Sequence, residues 1–335
     1  MIRPGRRTVA LVGPMAARGA DRLKAGVTSD WTVRAWLPED GVAAREALLG
    51  EADALIAGKP DFDLPRGGRL KLFQIPFAGH HWFDAADLPP GCAFCNTFEH
   101  EPAIAEYVLT AMLSWSTRFH AIAADFKAGS WRFAGPLYGE RHGELMAKSV
   151  GLVGYGHIGQ AIAARAAPFG VRLAAVTRHG RPARASLGPL ARLEPVARGL
   201  DRLLAESDFV VIACPLDNRT RGLIGRRELG LMRPAAVLIN VARAAIVDQG
   251  ALYDVLARRR IGGAVLDVWY RYPDGQEPGF RPADLPFHEL DNVVMTPHSS
   301  GWTDAQQDRR WARVAENLDR LATGRPLLNV VQPAA

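Results

Sequence analysis

Lysine is scarce in this chain: Lys24, Lys59, Lys71, Lys127 and Lys148 stand alone among 41 basic residues, and the rest are arginines scattered among alanines. The net charge of +6 is therefore diffuse. Its sole tight run, Arg258-Arg259-Arg260, falls where a helix is expected to end and the dipole favours cations. This pattern argues against nucleic acid as a partner and leaves a weak positive field that attracts small anions. Cysteine is equally sparse: Cys92, Cys95 and Cys214 are too few for a disulfide framework. Cys92 and Cys95 have CxxC spacing, but they lie in a strand-like apolar segment and no second pair completes a metal site, so they read as packing residues and no metal is expected. No run of eighteen apolar residues occurs, so no membrane helix is expected. The N-terminus leads into a strand without an apolar signal core, and a cytoplasmic protein is the expectation.

What is present starts with Gly151-Leu152-Val153-Gly154-Tyr155-Gly156-His157-Ile158-Gly159. Ser149 to Val153 reads as a buried strand and Ala161 to Ala167 as a helix, so the glycines fall at a strand-to-helix turn. A dinucleotide site needs that context. Gly154 makes the turn, Gly156 leaves room for a pyrophosphate, and Gly159 lets the helix pack closely on the strand. The N–H groups at the helix start, around His157 and Ile158, then face the phosphates. By itself the pattern is shared with ordinary tight βα turns.

Strand-like runs precede and follow this turn. Val9 to Gly13, Thr32 to Leu37, Ala54 to Ala57, Leu70 to Phe77 and Cys92 to Thr97 alternate with polar, helix-like stretches, which implies a parallel sheet. From Pro102, Ile104, Val108, Met112 and Trp115 recur with helical spacing. A second strand series comprises Val171 to Val176, Phe209 to Cys214, Ala236 to Val241, Gly263 to Val268 and Val293 to Thr296. The segment 178–199, rich in Arg, Ala, Pro and Gly, reads as a loop. A closing helix carries Trp311, Val314, Leu318 and Leu321, and Gly324 and Pro326 stop it. The second series is complete before that helix, so the last thirty-odd residues are expected to return to the first domain. The expected division is 1–99 with 300–335 against 100–299.

Three further constellations each follow or end a strand of the second series: Asn240-Val241-Ala242-Arg243, Leu266-Asp267-Val268-Trp269, and Thr296-Pro297-His298-Ser299-Ser300-Gly301-Trp302-Thr303. Ligands of open α/β sheets bind at the carboxyl ends of strands, so Arg243 and His298 are expected to converge there. An arginine presents a fixed fork of donors to a carboxylate, and a histidine exchanges a proton near neutral pH. That pairing suits a 2-oxo acid.

These motifs, with Pro215-Leu216-Asp217-Asn218-Arg219-Thr220, resemble in order and spacing the D-isomer-specific 2-hydroxyacid dehydrogenases over nearly the whole chain. The resemblance implies an α/β fold of two domains, a Rossmann dinucleotide-binding domain inserted into a flavodoxin-like substrate domain, with substrate in the cleft between them. It implies that Arg243 holds the substrate carboxylate and polarises its carbonyl. His298 is implied as the acid/base that serves the carbonyl oxygen. Asp267 is implied as the anchor of the nicotinamide carboxamide, and the backbone of Ala78, Gly79 and His80 as a second grip on the carboxylate. Cofactor contacts are implied for Pro215, Thr220, Val241, Ala242 and Gly301. A homodimer is implied too, with Arg118 to Arg141, bearing Trp131, Phe133 and Tyr138, as an apolar arm.

The chain departs from the family pattern at Tyr272. Members carry a glutamate five positions after the aspartate, where it pairs with the histidine and raises its proton affinity; here that position is Tyr272. A tyrosine brings no negative charge, so His298 should hold a proton less firmly. Glu277 and Glu289 are near enough in sequence to be candidate substitutes. Phe77, His80, His81 and Trp82 are candidates to line the substrate pocket or to pack on neighbouring loops. The end of the second strand in the second series bears Thr177 and Arg178, with His179 and Arg181 beyond, where an NAD site would carry a carboxylate. A hydroxyl and a guanidinium suit a 2′-phosphate, so NADP(H) is favoured over NAD(H). The expected activity is hydride transfer between the nicotinamide cofactor and a small 2-oxo or 2-hydroxy acid. The alternatives are a dinucleotide-sensing binding protein with little turnover and a formate-type dehydrogenase.

Overall fold

The computed structural model describes residues 6–67, 69–80, 82–135, 139–181, 188–275 and 278–334. His81, Tyr138 and Glu277 lie outside them. The chain forms two compact units, Met1–His100 with Thr303–Ala335, and Glu101–Trp302.

In the first unit, strands β1 (Arg7–Val12), β2 (Trp31–Trp36), β3 (Ala54–Ala57), β4 (Leu72–Gln74) and β5 (Ala93–Cys95) lie parallel in the order β5-β4-β3-β1-β2. This is the flavodoxin-like order. Side chains alternate across a strand, so Val9 and Leu11 face one core with Leu23 and Ile56, and Ala10 and Val12 face the other with Leu55 and Phe73. Helices α1 (Pro14–Ala17), α2 (Ala20–Gly26) and α3 (Val42–Glu51) come from this half of the chain. The closing helix, Asp304–Thr323, adds Trp311, Val314 and Leu318 to the first of these cores. A short strand, Val330–Gln332, then pairs antiparallel with β5. Cys92 and Cys95 are buried in the first unit without a disulfide, and burial pushes both thiols up to about 12.

The second unit opens with α4 (Glu101–Thr117) and α5 (Phe119–Lys127) and builds a sheet from β6 (Ser149–Val153), β7 (Arg172–Thr177), β8 (Arg192–Pro195), β9 (Phe209–Ile212), β10 (Val237–Asn240), β11 (Gly263–Leu266) and β12 (Val293–Met295). The order is β12-β11-β10-β9-β6-β7-β8, all parallel. Chain direction across the sheet reverses between β6 and β9, the doubly wound arrangement whose switch point receives a dinucleotide. Helices α6 (His157–Ala166), α7 (Val196–Glu206), α8 (Arg226–Leu231) and α9 (Gln249–Ala257) connect the strands. Of the expected buried face of α4, Ile104, Val108 and Met112 are buried, and Trp115 packs on the same core half-buried. Phe119, Phe126 and Trp131 are exposed.

Two element readings change. Segment 178–199 is not all loop: Arg192–Pro195 forms β8 on the sheet edge, and its four residues are only half-buried, so it carries no alternating apolar signal. The run Leu70 to Phe77 shortens to β4, because Pro76 has no N–H to offer a ladder. Among the described residues, no helix is long and apolar enough to cross a membrane.

The return of the chain end to the first unit is fixed by a buried amide. Asn317 Nδ2 donates to Gln74 Oε1 at 2.7 Å and to the Leu328 carbonyl at 3.1 Å, and its Oδ1 accepts from the Leu328 N–H at 2.8 Å. Both amide side chains are fully buried. Replacing Asn317 by alanine strands buried partners, and a loss of about 2–3 kcal/mol is expected in denaturant unfolding of the first unit.

Candidate active site

Each glycine of the β6–α6 corner has a separate steric reason. Gly154 has φ +108°, and a Cβ there would lie 2.6 Å from the Cys214 backbone nitrogen after β9. Gly159 sits so close that a Cβ would be 2.4 Å from the Gly154 carbonyl oxygen. A Cβ on Gly156 would meet nothing within 4 Å. The first two are required by the fold, while the third guards empty space at the start of α6, beside His157 and Ile158, where N–H groups lack intrahelical partners. The corner fits a pyrophosphate.

Because the strands are parallel, their carboxyl ends share one edge of the sheet. On it lie the glycine corner after β6, Thr177 and Arg178 at β7, Pro215 and Thr220 after β9, Val241 to Arg243 after β10, Asp267 after β11, and Thr296 to Gly301 after β12. The turn after β9 is knit by its own side chains: Thr220 Oγ1 donates to the Pro215 carbonyl at 2.7 Å and accepts from the Asp217 N–H at 2.8 Å. Arg178 pairs with Asp217 of that turn. Backbone N–H groups of Arg219 and Thr220, with the Arg178 charge, hold the Asp217 carboxyl below the usual range. The Thr177 hydroxyl is engaged by the backbone of Arg181, donating to its carbonyl at 3.1 Å and accepting from its N–H at 3.2 Å.

Arg243 is presented by a corner that the buried Asn240 ties: Asn240 Oδ1 accepts from the Ala242 N–H at 3.1 Å and its Nδ2 donates to the Arg243 carbonyl at 3.1 Å. The guanidinium stays half-buried and donates to the Ala242 carbonyl at 2.7 Å. His298 has φ +58°, a left-handed conformation costly for a residue with a side chain. The Asp267 carboxylate holds the turn there. It accepts from Thr296 Oγ1 at 2.6 Å, the Ser299 N–H at 2.8 Å and the Ser300 N–H at 3.0 Å. Tyr107 of α4 meets Thr296 Oγ1 at 2.6 Å, and Trp269 Nε1 donates to the Thr296 carbonyl at 2.8 Å.

The Asp267 side chain has no exposed surface, and its oxygens accept from the turn that carries His298, so it orients the histidine. Asn240 and Thr296 stand in the quoted motifs but were given no role of their own, their signal being adjacency to Arg243 and His298; Tyr107 carried no signal.

Tyr272, at the register of the missing glutamate, meets the His298 imidazole. Its Oη lies 2.9 Å from His298 Nδ1 and accepts from the Trp269 N–H at 3.2 Å. Glu289 is no substitute: it sits beside His288 and does not act on His298. The imidazole keeps an edge open to solvent, but the protein packed around the rest of it, together with the Arg243 charge, lowers its pKa; Asp267 opposes this. Burial raises the Tyr272 phenol, against the Trp269 N–H and the Arg243 charge, which lower it.

In the first unit, the turn Ala78 to His80 follows β4. The Ala78 carbonyl accepts from Asn96 Nδ2 at 2.9 Å, and the N–H groups of Ala78, Gly79 and His80 have no partner among the described residues, which leaves three donors in a partly exposed turn. Phe77 and Trp82 pack on the core of this unit.

A family model for the D-isomer-specific 2-hydroxyacid dehydrogenase NAD-binding domain matches residues 109–300. The chain belongs to that family. The dehydrogenase is 35% identical to a glyoxylate reductase of Thermococcus gammatolerans over 91% of this chain and 90% of that protein. It is 32% identical to a glyoxylate/hydroxypyruvate reductase B of Pectobacterium carotovorum over 94% and 95%. A crystal structure of a D-isomer-specific 2-hydroxyacid dehydrogenase family protein from Aeromonas salmonicida superposes with a TM-score of 0.79 at 26% identity, covering 98% of this chain and 99% of that one. The dehydrogenase is thus a nicotinamide-dependent oxidoreductase of 2-oxo and 2-hydroxy acids.

The glycine geometry separates folding from binding. Gly154→Ala is expected to destabilise the second unit by about 2–4 kcal/mol. Gly156→Ala should keep the wild-type unfolding midpoint while weakening dinucleotide affinity at least about tenfold in calorimetry, since only the ligand contests that space.

Proposed function

We propose that the enzyme is an NADP(H)-preferring reductase of small 2-oxo acids of the glyoxylate and hydroxypyruvate class. The observation that carries this reading is the placement of Arg243 and His298 at the carboxyl ends of β10 and β12 on one sheet edge, with Tyr272 Oη 2.9 Å from the imidazole. The Arg243 fork binds the carboxylate and polarises the adjoining carbonyl. His298 Nε2 faces the carbonyl oxygen and manages its proton. The nicotinamide supplies the hydride to carbon 2. Charge developing on the oxygen meets Arg243, and such preorganised charge is worth about 10²- to 10³-fold in rate.

The preference for the phosphorylated dinucleotide rests on the end of β7. Val176, Thr177 and Arg178 at the end of β7 include no carboxylate to accept from a ribose 2′-hydroxyl, and the Arg178 guanidinium is half-exposed and paired with Asp217. A 2′-phosphate exchanges one anionic partner of Arg178, Asp217, for another. Arg178→Ala is expected to raise the KM for NADPH about tenfold while changing that for NADH less than about twofold; equal effects on both would remove the preference.

Arg243→Ala tests the activity itself. In steady-state reduction of glyoxylate, kcat/KM is expected to fall about 10²- to 10⁴-fold with dinucleotide affinity retained. An unchanged kcat/KM would take Arg243 out of the site.

A further inference from the structure

We propose that Tyr272 is a proton relay as well as a brace: its hydroxyl donates to His298 Nδ1, fixes the neutral imidazole with its proton on Nε2, and passes its own proton inward as that Nε2 proton goes to the substrate. This rests on the reductase reading above. A carboxylate in this position can only accept, so it serves a histidine that is already charged. A phenol can also give.

The surroundings favour donation toward the imidazole. Trp269 N–H occupies one lone pair of Tyr272 Oη at 3.2 Å, and His298 Nδ1 stands 2.9 Å from the same oxygen. The groups that face the imidazole are Arg243 from the β10 corner, Asp267 from the end of β11 and Tyr272 itself, with Tyr107 one bond further through Thr296. Arg243 disfavours a second proton on the ring; at the phenol, burial raises the pKa, while the Trp269 N–H and the Arg243 charge favour the anion. Tyr272 is 49% exposed as a residue, while its hydroxyl is engaged by the Trp269 N–H and His298 Nδ1.

The step balances. As carbon 2 of the oxo acid takes hydride, two electrons reduce the carbonyl and its π pair moves to oxygen. The Nε2–H bond breaks and an O–H bond forms on the product. The Tyr272 O–H bond breaks and an Nδ1–H bond forms, leaving the ring neutral and the charge on the phenol oxygen. An alkoxide is a far stronger base than a phenolate, so the transfer runs downhill. After product leaves, one proton from water enters at the open Nε2 edge and Nδ1 returns its proton to Oη.

The relay predicts a pH profile that a charged histidine does not. His298 titrates below the ordinary imidazole value, so a donor that must be imidazolium loses rate tenfold per unit as pH rises past that low point. The relay keeps its proton until the phenol ionises.

The experiment is glyoxylate reduction with NADPH from about pH 5 to 9 by the wild type, Tyr272→Phe and Tyr272→Glu. Wild-type kcat/KM is expected to stay level through neutrality. Tyr272→Phe should lose about 10²-fold near pH 8 and little near pH 5.5. Tyr272→Glu should restore neutral activity by holding imidazolium, with a falling limb about one unit or more higher than that of the Phe variant. Independently of turnover, ¹⁵N-imidazole spectra of the unliganded protein, with His298 identified through His298→Gln, should show Nε2 protonated and Nδ1 accepting in the wild type, and a tautomer mixture in Tyr272→Phe. Parallel profiles for wild type and Tyr272→Phe, or a wild-type Nδ1 that carries the proton, overturn the relay alone. A wild type that reduces no 2-oxo acid overturns the reductase reading and the relay with it.

Discussion

The site depends on one buried carboxylate. Asp267 receives two consecutive backbone N–H groups and a hydroxyl from the turn that carries His298, and these bonds hold the histidine in a left-handed conformation it would not choose. Charged acceptors make stronger hydrogen bonds than neutral ones, and a fully enclosed one cannot trade them for water. The strain at His298 is therefore local and permanent. It aims the imidazole before any ligand arrives, so the ordering cost is met in folding rather than in each turnover.

Around that fixed point the electrostatics are unusual for an acid/base pair. A cation, Arg243, faces the imidazole, while Asp267, though close, spends its oxygens on backbone donors. Tyr272 supplies a dipole where a carboxylate would supply a charge. The same economy recurs at the β7 end, where Arg178 is balanced by an acid from a different turn instead of by one in its own strand. In both places a neutral or borrowed group stands where the simplest design uses a resident carboxylate.

Much of this was legible in the linear sequence. The glycine spacing, the two series of apolar runs and the motifs after β10, β11 and β12 each rest on local rules: turn sterics, alternation and helix-start chemistry. Those rules placed Arg243 and His298 on the same edge. They also located Tyr272 as an anomaly, but not its partners, since a tyrosine in sequence says nothing of which atom its hydroxyl meets. The partners of Asp267 were hidden for the same reason: the turn whose N–H groups it accepts lies about thirty residues away. The edge strand β8 escaped notice because edge strands need only backbone pairing and carry little apolar alternation.

The discontinuous first unit has a consequence for biosynthesis. Residues 101–302 emerge from the ribosome as a complete folding unit, whereas β1 to β5 emerge first and wait. One face of their sheet, which Ala16 and Leu23 cover in part, is completed only when Trp311, Val314 and Leu318 have been translated, and the buried amide at Asn317 comes with them. Strands made before residues 101–302 are thus completed only after them, with part of their apolar surface open in the interval.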